Sequence, residues 1–141
     1  MNKEPAGKVL RVTNQIEELA RVEVFLEELA EDWELPSSLV LSLNLVLEEA
    51  LTNTILYGFN DDSSHTIDIS FTKTGNELSI SIADDGLAFD PTLQSDPDVT
   101  LSIEDRPVGG LGIYMIKKVM DQVQYQRIED KNYLNLTKKI E

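Results

Sequence analysis

No cysteine occurs among the 141 residues, which excludes disulfides, thiolate metal sites and cysteine nucleophiles. Basic residues are scarce, 12 Lys and Arg against 26 Asp and Glu, for a formal net charge of −14. A surface of that sign repels nucleic-acid phosphates, and no basic stripe interrupts it, so DNA and RNA are not expected partners. The charge also means that an anionic ligand would need a cation or local backbone N–H groups to be held. No apolar run is long and unbroken enough to read as the roughly 20 residues of a membrane span. The most apolar stretch, Pro36 to Tyr57, is punctuated by Ser37, Ser38, Ser42, Asn44, Glu48, Glu49 and Asn53. The N-terminus, Met1-Asn2-Lys3-Glu4-Pro5, lacks the apolar core of a signal peptide. A cytoplasmic protein with no membrane partner is the expectation. The length suits one domain spanning 1–141, able to bury roughly 70% of its unfolded surface.

What is present is organised. Val9 to Val12 alternate and read as a strand. Asn14 with Glu17 looks like a capping box. Apolar residues then recur at helical spacing from Ile16 through Leu19, Val22, Leu26 and Leu29 to Trp33. Pro36 opens a second helix, apolar almost all round and so expected to be buried on more than one side, which stops near Gly58. Thr66 to Thr72 and Leu78 to Ala83 alternate as two strands of a hairpin. Phe89 to Val108 shows no period and holds Pro91, Pro97 and Pro107. A long irregular stretch inside a compact domain is uncommon and often functional, so 89–108 reads as a mobile lid. A third helix runs from about Leu111 to Asp121. Val123 to Ile128 and Tyr133 to Lys138 form a last hairpin across Asp130-Lys131-Asn132. This order predicts an α+β fold: a two-layer sandwich whose mixed, mostly antiparallel sheet carries helices on one face.

Three segments carry the chemistry. In Glu48-Glu49-Ala50-Leu51-Thr52-Asn53, Glu49 and Asn53 stand at i and i+4 and share one helix face. An amide oxygen such as that of Asn53 suits Mg²⁺, which takes few protein ligands and keeps waters. Glu49 can then serve as general base toward a hydroxyl or a water. The plainer reading is that both residues cap a neighbouring loop. In the second segment, Asp84-Asp85-Gly86 ends a strand. That is either an ordinary turn or a carboxylate, Asp84, placed to accept a hydrogen bond from an exocyclic amine. The third, Gly109-Gly110-Leu111-Gly112, precedes a helix. A helix N-terminus offers free N–H groups to phosphate, and glycines let the backbone come close. It is neither a Walker P-loop nor a dinucleotide-binding fingerprint, and alone it also fits a simple turn.

Together these segments resemble the three nucleotide-binding boxes of the GHKL ATPases, the superfamily of gyrase, mismatch-repair ATPases and sensor histidine kinases. The matching residues are Glu49-Ala50-Leu51-Thr52-Asn53, Asp84 to Pro91, and Gly109-Gly110-Leu111-Gly112-Ile113-Tyr114-Met115-Ile116. Order and spacing agree over roughly residues 8–139. The sequence is most similar to the small bacterial anti-sigma factors that are also serine-protein kinases. Ala88 replaces the second glycine of the common Asp-x-Gly-x-Gly pattern. The Phe89-Asp90-Pro91 that follows is typical of the anti-sigma branch.

The resemblance implies ATP and Mg²⁺ as cofactors. It implies Glu49 as catalytic base and Asn53 as metal ligand. Asp84 would bind the adenine amine, and Gly86 would let the ring sit close. Gly109, Gly110 and Gly112 would cradle phosphates under the lid, and Thr137 would make a water-mediated adenine contact. Some members also set a lid arginine against the γ-phosphate, and Arg106 is the one arginine in 89–108. The implied function is a serine/threonine kinase that phosphorylates a small anti-anti-sigma antagonist protein and sequesters a sigma factor, as a homodimer. The alternative is a nucleotide-regulated switch that holds a partner with little or no turnover. A detached histidine-kinase ATPase domain ranks below both. It needs a phosphoacceptor histidine on a dimerisation helix, whereas His65, the only histidine, opens a strand and reads as a solvated loop residue.

Overall fold

The computed structural model describes residues 6–61, 63–88, 90–93 and 110–140. Its elements are β1 (Ala6–Thr13), α1 (Leu19–Asp32), α2 (Ser37–Tyr57), β2 (Thr66–Thr74), β3 (Glu77–Asp84), α3 (Gly110–Val119), β4 (Gln122–Ile128) and β5 (Lys131–Lys139). Short 3₁₀ turns at Ile16–Glu18 and Pro91–Leu93 lead into α1 and follow β3. The strands form one sheet in the order β1-β2-β3-β5-β4. Every neighbouring pair is antiparallel, a stricter pattern than the mixed one the sequence suggests. The α+β fold class is as expected.

Alternation builds the two layers. Val12, Ile67, Ile69, Phe71, Leu78, Ile80, Ile82 and Leu136 are all buried on one sheet face. Leu26 and Leu29 of α1, Leu43, Val46, Leu47 and Leu51 of α2, and Ile113 and Ile116 of α3 close over them in one core. Each such fully buried side chain contributes about 1.5–3 kcal/mol relative to exposure. The positions between, such as Asp68, Ser70, Ser79, Ser81 and Asn135, are polar and half-buried on the opposite face. There Arg11 donates to both oxygens of Asp68 at 2.7 and 3.2 Å. Trp33 packs partly buried against the core, as its place on the α1 stripe predicts.

By length and composition α2 alone, among the described residues, passes for a membrane span, yet it is the core helix of this fold. It is buried along one side only. Leu41 and Leu45 on its far side stay 66% and 48% exposed, because the described elements cover α2 from the sheet and from its flanks. Three local expectations change. Asn14 does not cap α1. Its Oδ1 accepts from the His65 backbone N–H at 2.9 Å and its backbone N–H donates to the His65 carbonyl at 3.0 Å. These bonds follow directly on the Thr13–Thr66 pair and engage the side-chain oxygen that a cap would need. The carboxylate that reaches back is Glu18, not Glu17, and it accepts from Thr13 N at 2.8 Å. The β4–β5 turn is Glu129–Asp130, both left-handed at φ 49° and 66°, so β5 begins at Lys131 and takes Asn132 into the sheet.

His65 is also not a free solvated residue. Its ring stacks on Phe59 with centroids 4.4 Å apart. Nε2 lies 2.8 Å from Asp61 Oδ1 and Nδ1 3.0 Å from Asp85 Oδ1. The hydrogen bond to Asp61 foremost, then that to Asp85, raises the imidazole above its ordinary pKa against the opposing effect of burial. A raised folded-state pKa contributes stability below the ordinary histidine value, near 6.5, and loses it as pH rises through the raised value. The wild-type melting temperature is therefore expected to fall more between about pH 6 and pH 9 than that of His65→Gln. Parallel melting profiles over that range would contradict the ion-pair reading.

Candidate functional site

A cavity of about 690 Å³ opens between the C-terminal half of α2, the first turns of α3 and the ends of β3, β4 and β5. Its walls are apolar, with Ala50, Ile82, Ile113, Ile116 and Leu134, and its polar groups are few: Asn53, Thr54, Asp84, Tyr125 and Asn132 among them. Such a cavity, mostly apolar with a few placed polar atoms, is the usual form of a small-molecule site.

Asp84 ends β3 in register with Asn132 of β5. They are the two buried polar side chains among the described residues. Asp84 Oδ1 accepts from the Gly86 amide at 2.9 Å and from Asn132 Nδ2 at 3.0 Å. Gly86 follows at a close crossing. A Cβ there would lie 2.2 Å from the carbonyl oxygen of Gly58, which accepts from Leu87 N at 2.7 Å. Neither backbone can yield without opening the turn. Gly86→Ala is accordingly expected to cost about 2–3 kcal/mol, lowering the melting temperature by roughly 5–10 °C. An unshifted melt would show that the turn relaxes freely.

The i, i+4 pair of α2 meets the first turn of α3. A Cβ built on Gly112 would fall 2.7 Å from Glu49 Oε2 and 3.6 Å from Asn53 Nδ2. A side chain there would push the Glu49 carboxylate from its place, while the Asn53 amide lies at ordinary contact distance. Gly110 opens α3. Beyond the described strand end, Asp90 Oδ1 accepts from Thr92 N at 2.8 Å, and Lys117 Nζ of α3 donates to the Thr92 carbonyl at 3.1 Å. Of the expected site residues, Asn53 and Asp84 line the cavity, Gly86 packs against Gly58 of its lining, and Glu49 and Gly112 meet beside Asn53. Gly109, Arg106, and the 89–108 lid apart from residues 90–93 lie outside the described residues.

Thr137 is not brought to the site. It pairs with Ser79, well along β5 from Asp84, and alternation turns it to the sheet face opposite the buried Leu136. The residue that stands across from Asp84 is Asn132, which a reading of 130–132 as a turn removes from the strand. Continuing the alternation back from Leu136 through Leu134 is the signal that places it. Gly58, Tyr57 and Tyr125 also line the cavity without any motif to mark them.

The residues fit a magnesium nucleotide by their donor chemistry. Asp84 Oδ2 accepts no hydrogen bond among the described residues, so it is available to an exocyclic amine in a cavity of suitable size. No cluster of three His, Asp or Glu side chains among the described residues holds a metal by itself. Asn53, with Glu49 near, suits Mg²⁺ bound chiefly through phosphates and water.

Comparison with known proteins places this geometry. The sequence signature of the histidine kinase-like ATPase domain matches residues 12–138. The serine/threonine-protein kinase BtrW of Bordetella bronchiseptica is 34% identical over 96 residues, covering 68% of each chain. The serine-protein kinase RsbW of Bacillus cereus is 33% identical over 103 residues, covering 70% of this chain and 63% of that one. Among solved structures, the RsbU and RsbW domains of a Mycobacterium tuberculosis protein superpose with a TM-score of 0.67 at 14% identity. That match covers 96% of this chain and 32% of the other. The histidine kinase AdeS of Acinetobacter baumannii superposes at 0.52 with 13% identity, over 94% of this chain and 68% of that one. The chain thus spans less than two thirds of RsbW and about a third of the Mycobacterium chain.

Proposed function

This chain belongs to the histidine kinase-like ATPase domain family, and we propose that it is an ATP-dependent serine/threonine-protein kinase acting as an anti-sigma regulatory factor. It phosphorylates a serine of a small antagonist protein and sequesters a sigma factor, as a cytoplasmic single domain. The similarity to kinases named for serine supports this reading. The observation that carries it is the meeting of Glu49, Asn53 and Gly112 beside a cavity that Asp84 also lines.

In this reading Asp84 accepts the exocyclic amine of adenine, while Ile82, Leu134 and Ile113 exclude water from the ring. Asn53 holds Mg²⁺ through its amide oxygen. Bound Mg²⁺ neutralises phosphate charge, the main demand of phosphoryl transfer. The N–H groups of Gly110 and Gly112 hold phosphate oxygens at the helix N-terminus, and Gly109 is proposed as a further phosphate contact. Glu49 takes the proton of the partner's serine as its oxygen bonds to the γ-phosphorus and the bond to ADP breaks.

The test is incubation of the chain with ATP, Mg²⁺ and a soluble extract of the organism that encodes it, with phosphoserine mapped by mass spectrometry. A phosphoserine on a small protein, acid-stable and dependent on Glu49, is the expected product. ATP bound without any transferred phosphate would leave a nucleotide-regulated switch in its place.

A further inference from the structure

We propose that the β4–β5 hairpin sets nucleotide specificity: Asn132, itself held by Tyr125 and Arg127, positions the Asp84 carboxylate so that Oδ2 faces the base. This rests on the nucleotide reading of the cavity and adds to it a relay of positioning residues. A carboxylate turns easily about its terminal torsion, which is broad and two-fold, so an unheld Asp84 would present either oxygen at varying angles. Here it is held. Asn132 Nδ2 donates to Asp84 Oδ1 at 3.0 Å and to the Leu87 carbonyl at 2.8 Å. The amide cannot be reversed, because its Oδ1 accepts from the Tyr125 hydroxyl and from Arg127 Nη1 at 3.0 Å. Both donors would then face an NH₂ group. Arg127 Nη1 also donates to the Gly86 carbonyl at 2.8 Å, tying the turn after Asp84 to the same hairpin.

The consequence is directional. Both hydrogen bonds to the carboxylate end on Oδ1, which leaves Oδ2 as a fixed acceptor. A fixed acceptor welcomes the amine of adenine and repels the carbonyl that guanine carries at that position. Arg127 is exposed and does not line the cavity, so its effect on a bound base runs through Asn132 and the Gly86 turn.

The test measures the affinities of ATP and GTP, each with Mg²⁺, for the wild type, Asn132→Ala and Arg127→Met, with the melting temperature of each. The expected result is a wild type that prefers ATP, and variants whose ATP-over-GTP ratio falls about tenfold, chiefly through lost ATP affinity. Arg127→Met carries the test if Asn132→Ala does not fold. A wild-type preference kept unchanged in the folded variants, even with both affinities lowered alike, would reduce the relay to packing and overturn the proposal alone. A wild type that binds neither nucleotide would overturn the nucleotide reading and the relay with it, and one that binds both equally would overturn the relay while leaving a nucleotide site.

Discussion

Asp84→Asn is expected to weaken Mg²⁺–ATP binding by at least about 100-fold while leaving the fold intact. The exchange is isosteric, so packing gives no reason for loss. The reason is donor and acceptor count. The Gly86 amide and Asn132 Nδ2 both need an acceptor at the Oδ1 position. Leaving either buried donor unpaired costs about 1–3 kcal/mol, so the single oxygen of the new amide stays there. Its NH₂ group then occupies the place of Oδ2 and meets the amine of adenine donor to donor. Calorimetry on the variant, beside a thermal melt, reads the outcome. An affinity within about threefold of wild type would show that the base does not touch Asp84.

Glu49→Gln is expected to separate binding from chemistry. Glu49 is exposed and does not line the cavity, but its Oε2 crowds the first turn of α3 at Gly112. In the proposed mechanism a group so placed would act at the phosphate end of a nucleotide and on an acceptor hydroxyl arriving from solvent. Glutamine keeps the shape and removes the basic oxygen. Phosphoryl transfer is expected to fall about 1000-fold, within the usual range for a general base, with ATP affinity changed by less than about threefold. Single-turnover transfer against a binding isotherm checks both halves. Transfer at near wild-type rate would remove Glu49 as base and favour a mechanism of positioning and charge alone. Equal loss of binding and transfer would assign it to holding the nucleotide.

Much of this was legible in the sequence because it lives in local periodicity. The helical stripe from Leu19 to Trp33, the alternation of Ile67, Ile69 and Phe71, and the i, i+4 spacing of Glu49 and Asn53 all survive in the fold. Asp84 and Gly86 were legible for the same reason, as the end of an alternating strand. What was not legible depended on register between distant strands. Whether Asn132 belongs to a turn or to β5 is decided by the left-handed pair Glu129–Asp130, residues with no glycine to announce them. That decision sets which β5 residue faces Asp84, and it is Asn132, with Thr137 turned to the other face. Likewise, His65 takes Phe59 and Asp61 from its own connection between α2 and β2, but gains Asp85 from the distant end of β3. The one-sided burial of α2 follows from how many elements the rest of the chain sets against it, which its own composition cannot state.

On the proposed reading, the cavity beside Asp84 and Asn53 is a site for an adenine nucleotide. Titration of the wild-type chain with ATP in the presence of Mg²⁺, followed calorimetrically and repeated with GTP, tests it most directly. Saturable binding of one ATP per chain is expected, with GTP bound at least about 100-fold more weakly. Absence of any ATP binding, or equal binding of the two nucleotides, would contradict it.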